Sequence, residues 1–184
     1  MTAAAAGLEA ARAAAQAARG RCKLLTLVLV REPAARRLLL GRKKRGFGEG
    51  YWNGFGGKVE PGESIREAAA RELEEEAGVT SSALERVGIL RFNFDDQPKP
   101  WEVHVFTTHE IQGEPVETDE MAPAWWGYDE VPFDEMWTDD KHWYPKALAG
   151  KKFVGDFDFE QTHTMTSMTL EEVAEIPGTA VPTG

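Results

Sequence analysis

The sequence predicts an α+β fold, an α/β/α sandwich with helices packed on a curved mixed sheet. Three observations carry this expectation. Short apolar runs rich in β-branched residues recur along the chain, separated by turn residues. One strongly helical segment, residues 64–78, follows a glycine-rich loop and carries capping signals at both ends. A second helical region falls late, after Pro132. The 184 residues suffice for one domain with a sizeable core.

Residues 1–23 stand apart by composition. Alanine dominates, with Arg12, Arg19 and Arg21 and a single acid, Glu9. The segment reads either as a helical extension or as an organelle transit peptide, which is Arg-bearing and acid-poor. The domain is expected over residues 24–175 and a flexible tail over 176–184. Leu24 to Val30 (LLTLVLV) reads as a strand with Thr26 its one polar member, and Arg37 to Lys44 as a second strand after a hairpin connection. The basic cluster Arg42 to Arg45 reads as a solvated strand end, or as a place where one lysine reaches a phosphate or a base edge.

Further strands are expected over Ala83 to Phe94, Trp101 to His109, Ala124 to Tyr128 and Phe153 to Phe159. Pro132 opens a helix that runs past Phe133 and Met136, and a second helix covers Trp143 to Leu148. Residues 169–175 read as a last helical turn, and Pro177 to Gly184 as disordered.

Charge narrows the function. There are 31 acidic against 21 basic residues, a net charge of −10. That argues against broad binding to nucleic-acid backbones or anionic membranes, though not against a single nucleotide. No apolar run approaches the length of a membrane-spanning helix. The lone cysteine, Cys22, rules out an internal disulfide framework and fits a reducing compartment.

The chemistry concentrates in Gly54 to Val79, GFGGKVEPGESIREAAARELEEEAGV. At 100° per residue, Glu75 and Glu76 fall within about 60° of Glu72 on the helix. Three carboxylates are crowded on one face, beside a flank of Ala69, Ala70, Leu73 and Ala77 turned toward a core. Like charges at this spacing repel, and a divalent cation would relieve them. Oxygen-only ligands suit Mg2+, with Mn2+ as a substitute. Ser64 with Glu67 three residues on is a capping-box pattern, and Gly78 a helix stop. Arg71 is placed to pair with Glu67 or Glu75. The Gly56-Gly57 pair permits a sharp turn and a close approach of backbone to an ion.

A lone E-x-x-E-E reads first as a solvated helix face. Here Gly57, Glu63, Arg71-Glu72-Leu73, Glu75-Glu76 and Gly78-Val79 match every fixed position of the Nudix box. The chain resembles the Nudix hydrolases, which cleave nucleoside diphosphates linked to another moiety. TLVLV at 26–30, GRKKRGFGEGYWNGFGGKVEPGE at 41–63, VHVF at 103–106, IQGEPVETDEM at 111–121 and VPFDEMW with Asp139-Asp140 are similar to the MutT-homologue branch, whose eukaryotic members hydrolyse oxidised purine nucleoside triphosphates. The similarity runs from about residue 24 to about 159.

The resemblance implies a Nudix fold and a set of roles. Gly56 through its carbonyl, Glu72, Glu75, Glu76 and the distant Glu120 would hold Mg2+, with Arg71 fixing a carboxylate. One of the four glutamates would act as base. Thr26, Lys43, Phe47, Asn53, Phe55, Gly56, Gly57, Lys58, Phe92, Phe94, Trp101, Met121, Trp137, Asp139 and Asp140 would bind substrate. Trp137 offers a stacking face and Asn53 a donor and an acceptor. Asp139 and Asp140, if set together in an aromatic pocket, would not both ionise, and proton exchange between them would let one pocket take two kinds of oxidised purine. The plainer reading of that pair is a helix cap or exposed turn.

The implied substrates are 8-oxo-dGTP and 2-hydroxy-dATP, with O6-methyl-dGTP or N6-methyl-dATP as further candidates. The implied products are a monophosphate and pyrophosphate. The expected partner is the modified nucleotide alone, bound by a monomer without long nucleic acid or membrane. The expected location is cytoplasmic, with the mitochondrion or another organelle an alternative through the N-terminal extension, and the nucleus a further one. Trp101, Leu25 and Thr138 depart from the branch, where methionine, tyrosine and proline are usual. Two other readings are a Nudix hydrolase for ADP-ribose, a dinucleoside polyphosphate or an RNA cap, and a non-catalytic nucleotide-binding Nudix domain.

Overall fold

A computed structural model describes residues 3–177. A mixed sheet forms the middle of the domain. After helix α1 (Ala3–Arg19) come β1 (Lys23–Glu32), β2 (Arg37–Lys43), the short β3 (Trp52–Asn53), helix α2 (Ile65–Ala77), β4 (Glu85–Phe94), β5 (Trp101–Thr108), β6 (Met121–Gly127), helix α3 (Asp140–Leu148), β7 (Lys152–Glu160) and β8 (Thr164–Val173). The strand order is β3-β2-β1-β5-β4-β7-β8, and β6 pairs separately with β2. β1 runs parallel to β5, and β4 parallel to β7, while the other pairs are antiparallel.

Both faces of the sheet are covered, which explains why β1 is an unbroken apolar run rather than an alternating one. Leu27 and Leu29 enter a core with Leu38, Leu40, Leu90 and Val105, closed by Trp143, Tyr144 and Ala147 of α3. Val28 and Val30 point the other way, into a core with Leu39 and Phe106 closed by Ala69, Leu73 and Ala77 of α2. The apolar flank of α2 lies where its helical period places it.

Helix α2 is tied at both ends. The Ser64 hydroxyl accepts from the Glu67 N–H, and the Glu67 carboxylate accepts from the Ser64 N–H at 2.8 Å. Such a cap is worth about 1 kcal/mol. Gly78 closes the helix at φ 71°, donating to the Glu74 carbonyl at 2.9 Å. Glu67 does not meet Arg71. It pairs instead with Arg12 of α1 at 2.7 Å, which fastens the N-terminal helix to the start of α2.

Three expected elements differ. Residues 169–175 are not a helical turn: Thr164–Val173 is the edge strand β8, laddered onto β7 from Lys152↔Val173 to Glu160↔Thr164. The hydrogen-bonding edge of β7 overrides the helix-forming sequence LEEV. The helix expected from Pro132 is a single 3-10 turn, Phe133–Glu135, because Met136 is extended and buried. Helix α3 then begins at Asp140 rather than near Trp143, which decides how the acid pair faces the site. Ile176 is buried. Residues 1–2 and 178–184, part of the predicted extension and tail, lie outside the described residues. No helix among the described residues is long and apolar enough to cross a membrane.

Candidate active site

A cavity of about 570 Å3 opens where β1, β2, β4, α2 and the segment before α3 converge. One end is lined by carboxylates and the other by aromatic rings. Glu72, Glu75, Glu76, Glu120 and Arg71 all line it.

At the acidic end Glu76 is only 2% exposed, turned inward from the last turn of α2. Its Oε2 accepts the Gly56 N–H at 2.9 Å, and its Oε1 accepts from the Lys43 ammonium at 2.9 Å. Lys43 also donates to Glu120 at 3.3 Å, and Arg45 holds the other Glu120 oxygen at 2.8 Å. Arg71 donates to Glu72 at 2.9 Å, to Glu75 at 3.1 Å and to Glu63 at 2.8 Å. Burial pushes the Glu72 and Glu76 carboxyls up. Glu120 is more open, and its hydrogen bond from Arg45 holds it below the usual range.

The glycine pair is required by space rather than by an unusual backbone turn. A Cβ on Gly56 would fall 1.9 Å from the Thr26 carbonyl oxygen, and one on Gly57 2.5 Å from Glu72 Oε1. Neither residue has positive φ. The Gly57 carbonyl accepts from the Thr26 N–H at 2.8 Å, whereas the Gly56 carbonyl has no hydrogen-bond donor among the described residues.

These donors suit a hard divalent cation: carboxylate oxygens plus one uncommitted backbone carbonyl. As placed, no three acidic, histidine or cysteine side chains among the described residues come within mutual metal-binding reach. The Lys43 ammonium and the Arg71 guanidinium occupy the carboxylates. Lys43 lines the cavity with its ammonium paired to Glu76 and Glu120.

The aromatic end is built on Trp137. Phe47 stacks on it at 4.8 Å with planes 15° apart, Tyr51 meets its edge at 4.9 Å, and His163 stacks at 5.7 Å. Trp101 touches Phe47 at 5.1 Å and Phe94 at 5.0 Å. Phe92 packs against Phe94 and Phe157. Thr26, Met121 and Lys58 also line the cavity, and the buried Thr26 hydroxyl has no hydrogen-bond partner among the described residues. Phe55 does not belong here. It is fully buried in the core beneath α2, on the opposite face of the sheet. It falls two residues after Asn53, but the irregular backbone between them turns its ring away from the cavity.

Asp139 and Asp140 line the cavity with 4% and 2% exposure. Asp139 stands at the N-cap of α3 but makes no side-chain cap. Trp143 Nε1 donates to one Asp139 oxygen at 2.9 Å, and the Trp137 N–H donates to one Asp140 oxygen at 3.1 Å. Burial raises Asp139 to about 6. Burial, together with the Asp139 charge, raises Asp140 well above its ordinary value.

Asn53 is more restricted than its side chain suggests. Its amide oxygen accepts from the Gly54 N–H at 2.9 Å and from the Tyr144 hydroxyl at 3.1 Å. Its amide nitrogen remains as a donor toward a ligand. Tyr144 is a positioning residue that sequence reasoning missed. Starting α3 at Asp140 would have put it one turn from the acid pair. Lys23, Tyr51, Phe159 and Thr162 were missed as well. Lys23 was legible by alternation, since it shares a strand face with Leu25 and Leu27.

Known proteins resemble this chain in sequence and in fold. The NUDIX domain matches residues 24–147. The chain is 48% identical over 154 residues to the oxidized purine nucleoside triphosphate hydrolase of Danio rerio, covering 84% of this chain and 97% of that one. The Mus musculus protein of the same name is 48% identical over 151 residues, covering 82% and 96%. Among solved structures, the MutT protein from Bacillus halodurans superposes with a TM-score of 0.72 at 30% identity, covering 81% of this chain and 97% of that one. With a complete box, a two-faced mixed sheet and a carboxylate-lined cavity at their junction, the chain belongs to the Nudix family.

Proposed function

We propose that this protein hydrolyses oxidised purine nucleoside triphosphates to the monophosphate and pyrophosphate, with Mg2+ as cofactor. The observation that carries the reading is the pair of buried acids, Asp139 and Asp140, lining the aromatic end of the cavity that holds Glu72, Glu75, Glu76 and Glu120. The names of the two vertebrate relatives support it.

The purine would lie against Trp137 with its edge toward Asn53, Asp139 and Asp140. An acid kept neutral by burial donates a hydrogen bond, and its ionised neighbour accepts one. Exchange of that proton fits the pocket to 8-oxo-dGTP and to 2-hydroxy-dATP, whose edges present donors and acceptors differently. O6-methyl-dGTP and N6-methyl-dATP carry a methyl group at that same edge and extend the substrate panel.

Mg2+, held by the Gly56 carbonyl, Glu72, Glu75, Glu76 and Glu120, would supply charge neutralisation on the phosphate oxygens. Within the glutamate cluster, burial raises the proton affinity of Glu72 and Glu76, which suits one of them to take a proton from the attacking water. The anhydride between the α and β phosphates then breaks and pyrophosphate leaves. Arg71 holds Glu72 and Glu75 in place. One chain supplies every one of these groups, consistent with a monomer.

The test is kcat/KM for normal, oxidised and methylated purine triphosphates and ADP-ribose, with pyrophosphate release measured in Mg2+. Oxidised purines should exceed dGTP and dATP by at least about tenfold, the discrimination one or two hydrogen bonds to the base can supply. Equal turnover of dGTP and 8-oxo-dGTP with faster cleavage of ADP-ribose would sink the reading.

A further inference from the structure

The cations around the cavity divide into two kinds. Lys43, Lys44, Arg45 and Arg71 each end on a carboxylate. Lys23 and Lys58 line the same cavity, yet neither ammonium forms an ion pair among the described residues. Lys23 Nζ sits instead 3.7 Å above the Trp101 ring.

The two kinds of contact differ in what they leave behind. A carboxylate partner cancels the charge of an ammonium. An aromatic face holds the ammonium in place through its quadrupole and leaves the net charge intact. Partial burial and the nearby Lys58 charge both lower the proton affinity of Lys23. Two uncompensated cations on one cavity wall repel each other, and an anion between them would remove that cost.

Their placement connects the two ends of the cavity. Lys58 follows Gly57, which lies against the Glu72 carboxylate. Lys58 is bridged to Leu25 across the backbone, and Lys23 is two residues along β1 on the same strand face. The series runs from the carboxylates, past Lys58, to Lys23 on the Trp101 rim.

We propose that Lys23 is a substrate-binding residue, its ammonium held on Trp101 beside Lys58 to receive anionic oxygens of the nucleotide's polyphosphate arm. The assignment rests on the triphosphatase reading above. It also gives Trp101, where the branch usually has methionine, a second role, because the ring carries a cation as well as walling the pocket.

The test compares Lys23→Met and Lys23→Arg with the wild-type chain. Methionine keeps an apolar stem against Trp101 and removes the charge. For 8-oxo-dGTP, Lys23→Met should raise KM about tenfold, the scale of one charge-assisted contact, with kcat within about twofold. Binding of the nucleoside 8-oxo-deoxyguanosine, which has no phosphate, should stay unchanged. Lys23→Arg should restore most of the loss. Calorimetric binding of inorganic tripolyphosphate reads the same contact without turnover and should weaken about tenfold in Lys23→Met. An unchanged tripolyphosphate affinity, or equal losses for the nucleoside and the triphosphate, would overturn the assignment, the latter because Lys23 would then act only by propping Trp101. Failure of the triphosphatase reading would show separately, as absence of purine triphosphate turnover by the wild-type chain.

Discussion

The Lys43 ammonium donates to Glu76 Oε1 at 2.9 Å, where a divalent cation would be expected to bind. Glu76 is nearly inaccessible, so its charge needs a partner at all times. Lys43 provides one before a metal arrives and must yield when it does. Lys43→Met should therefore lower the melting temperature in EDTA by several degrees, since an unpaired buried carboxylate costs on the order of 2 kcal/mol or more. Saturating Mg2+ should recover more of the melting temperature in the variant than it adds to the wild type. Thermal denaturation with and without Mg2+ measures both.

Glu76→Gln removes a proposed Mg2+ ligand and a candidate base together. kcat should fall about 10²–10⁴-fold, and Mg2+ should lose most of its effect on the melting temperature. Activity close to that of the wild type would take Glu76 out of the catalytic set.

Asp139 gives a pH prediction. Burial raises its native pKa to about 6 from an ordinary value of 3.8. The folded chain then binds this proton more tightly than the unfolded one, so the contribution to stability is full below about pH 4 and is lost as pH rises through about 6. Asp139→Asn should melt above the wild type at about pH 8, with the difference shrinking to nothing near pH 4. A melting difference independent of pH would mean that Asp139 is already charged in the folded protein.

The acid pair also carries the substrate prediction. Asp139→Asn and Asp140→Asn each freeze one hydrogen-bonding pattern, so each should change the ratio of kcat/KM for 8-oxo-dGTP to that for 2-hydroxy-dATP by about tenfold or more. If both variants kept the wild-type ratio, proton exchange between the acids would not be the basis of the proposed dual specificity.

Tyr144→Phe deletes the hydroxyl that donates to Asn53 and accepts from the Gly54 N–H. Loss of such a contact costs about 1 kcal/mol, and with Asn53 freer to move KM should rise about fivefold for every purine substrate. kcat should change less, and the ratio between oxidised bases should be preserved. Steady-state kinetics on the same purine panel measures all three.

Much of this protein was legible in its sequence because the signals are local. The spacing of Glu72, Glu75 and Glu76, the Ser64–Glu67 cap and the Gly78 stop are set within a few turns of one helix, where 3.6 residues per turn decides which side chains share a face. The run LLTLVLV announced a strand, and α2 took the face that its apolar period predicts. The partners of those groups were decided by the tertiary fold. Lys43 meets Glu76 across 33 positions, Asn53 meets Tyr144 across 91, and Phe55 turns to the far side of the sheet only two residues after Asn53. Residues 164–173 became a strand because β7 offered an edge, and Asp139 and Asp140 became buried acids because the helix before them collapsed to one turn and α3 began early. Neighbours along a helix follow from backbone geometry alone. Contacts across the sheet, and the protonation states they impose, depend on burial and charge that exist only once the chain has closed.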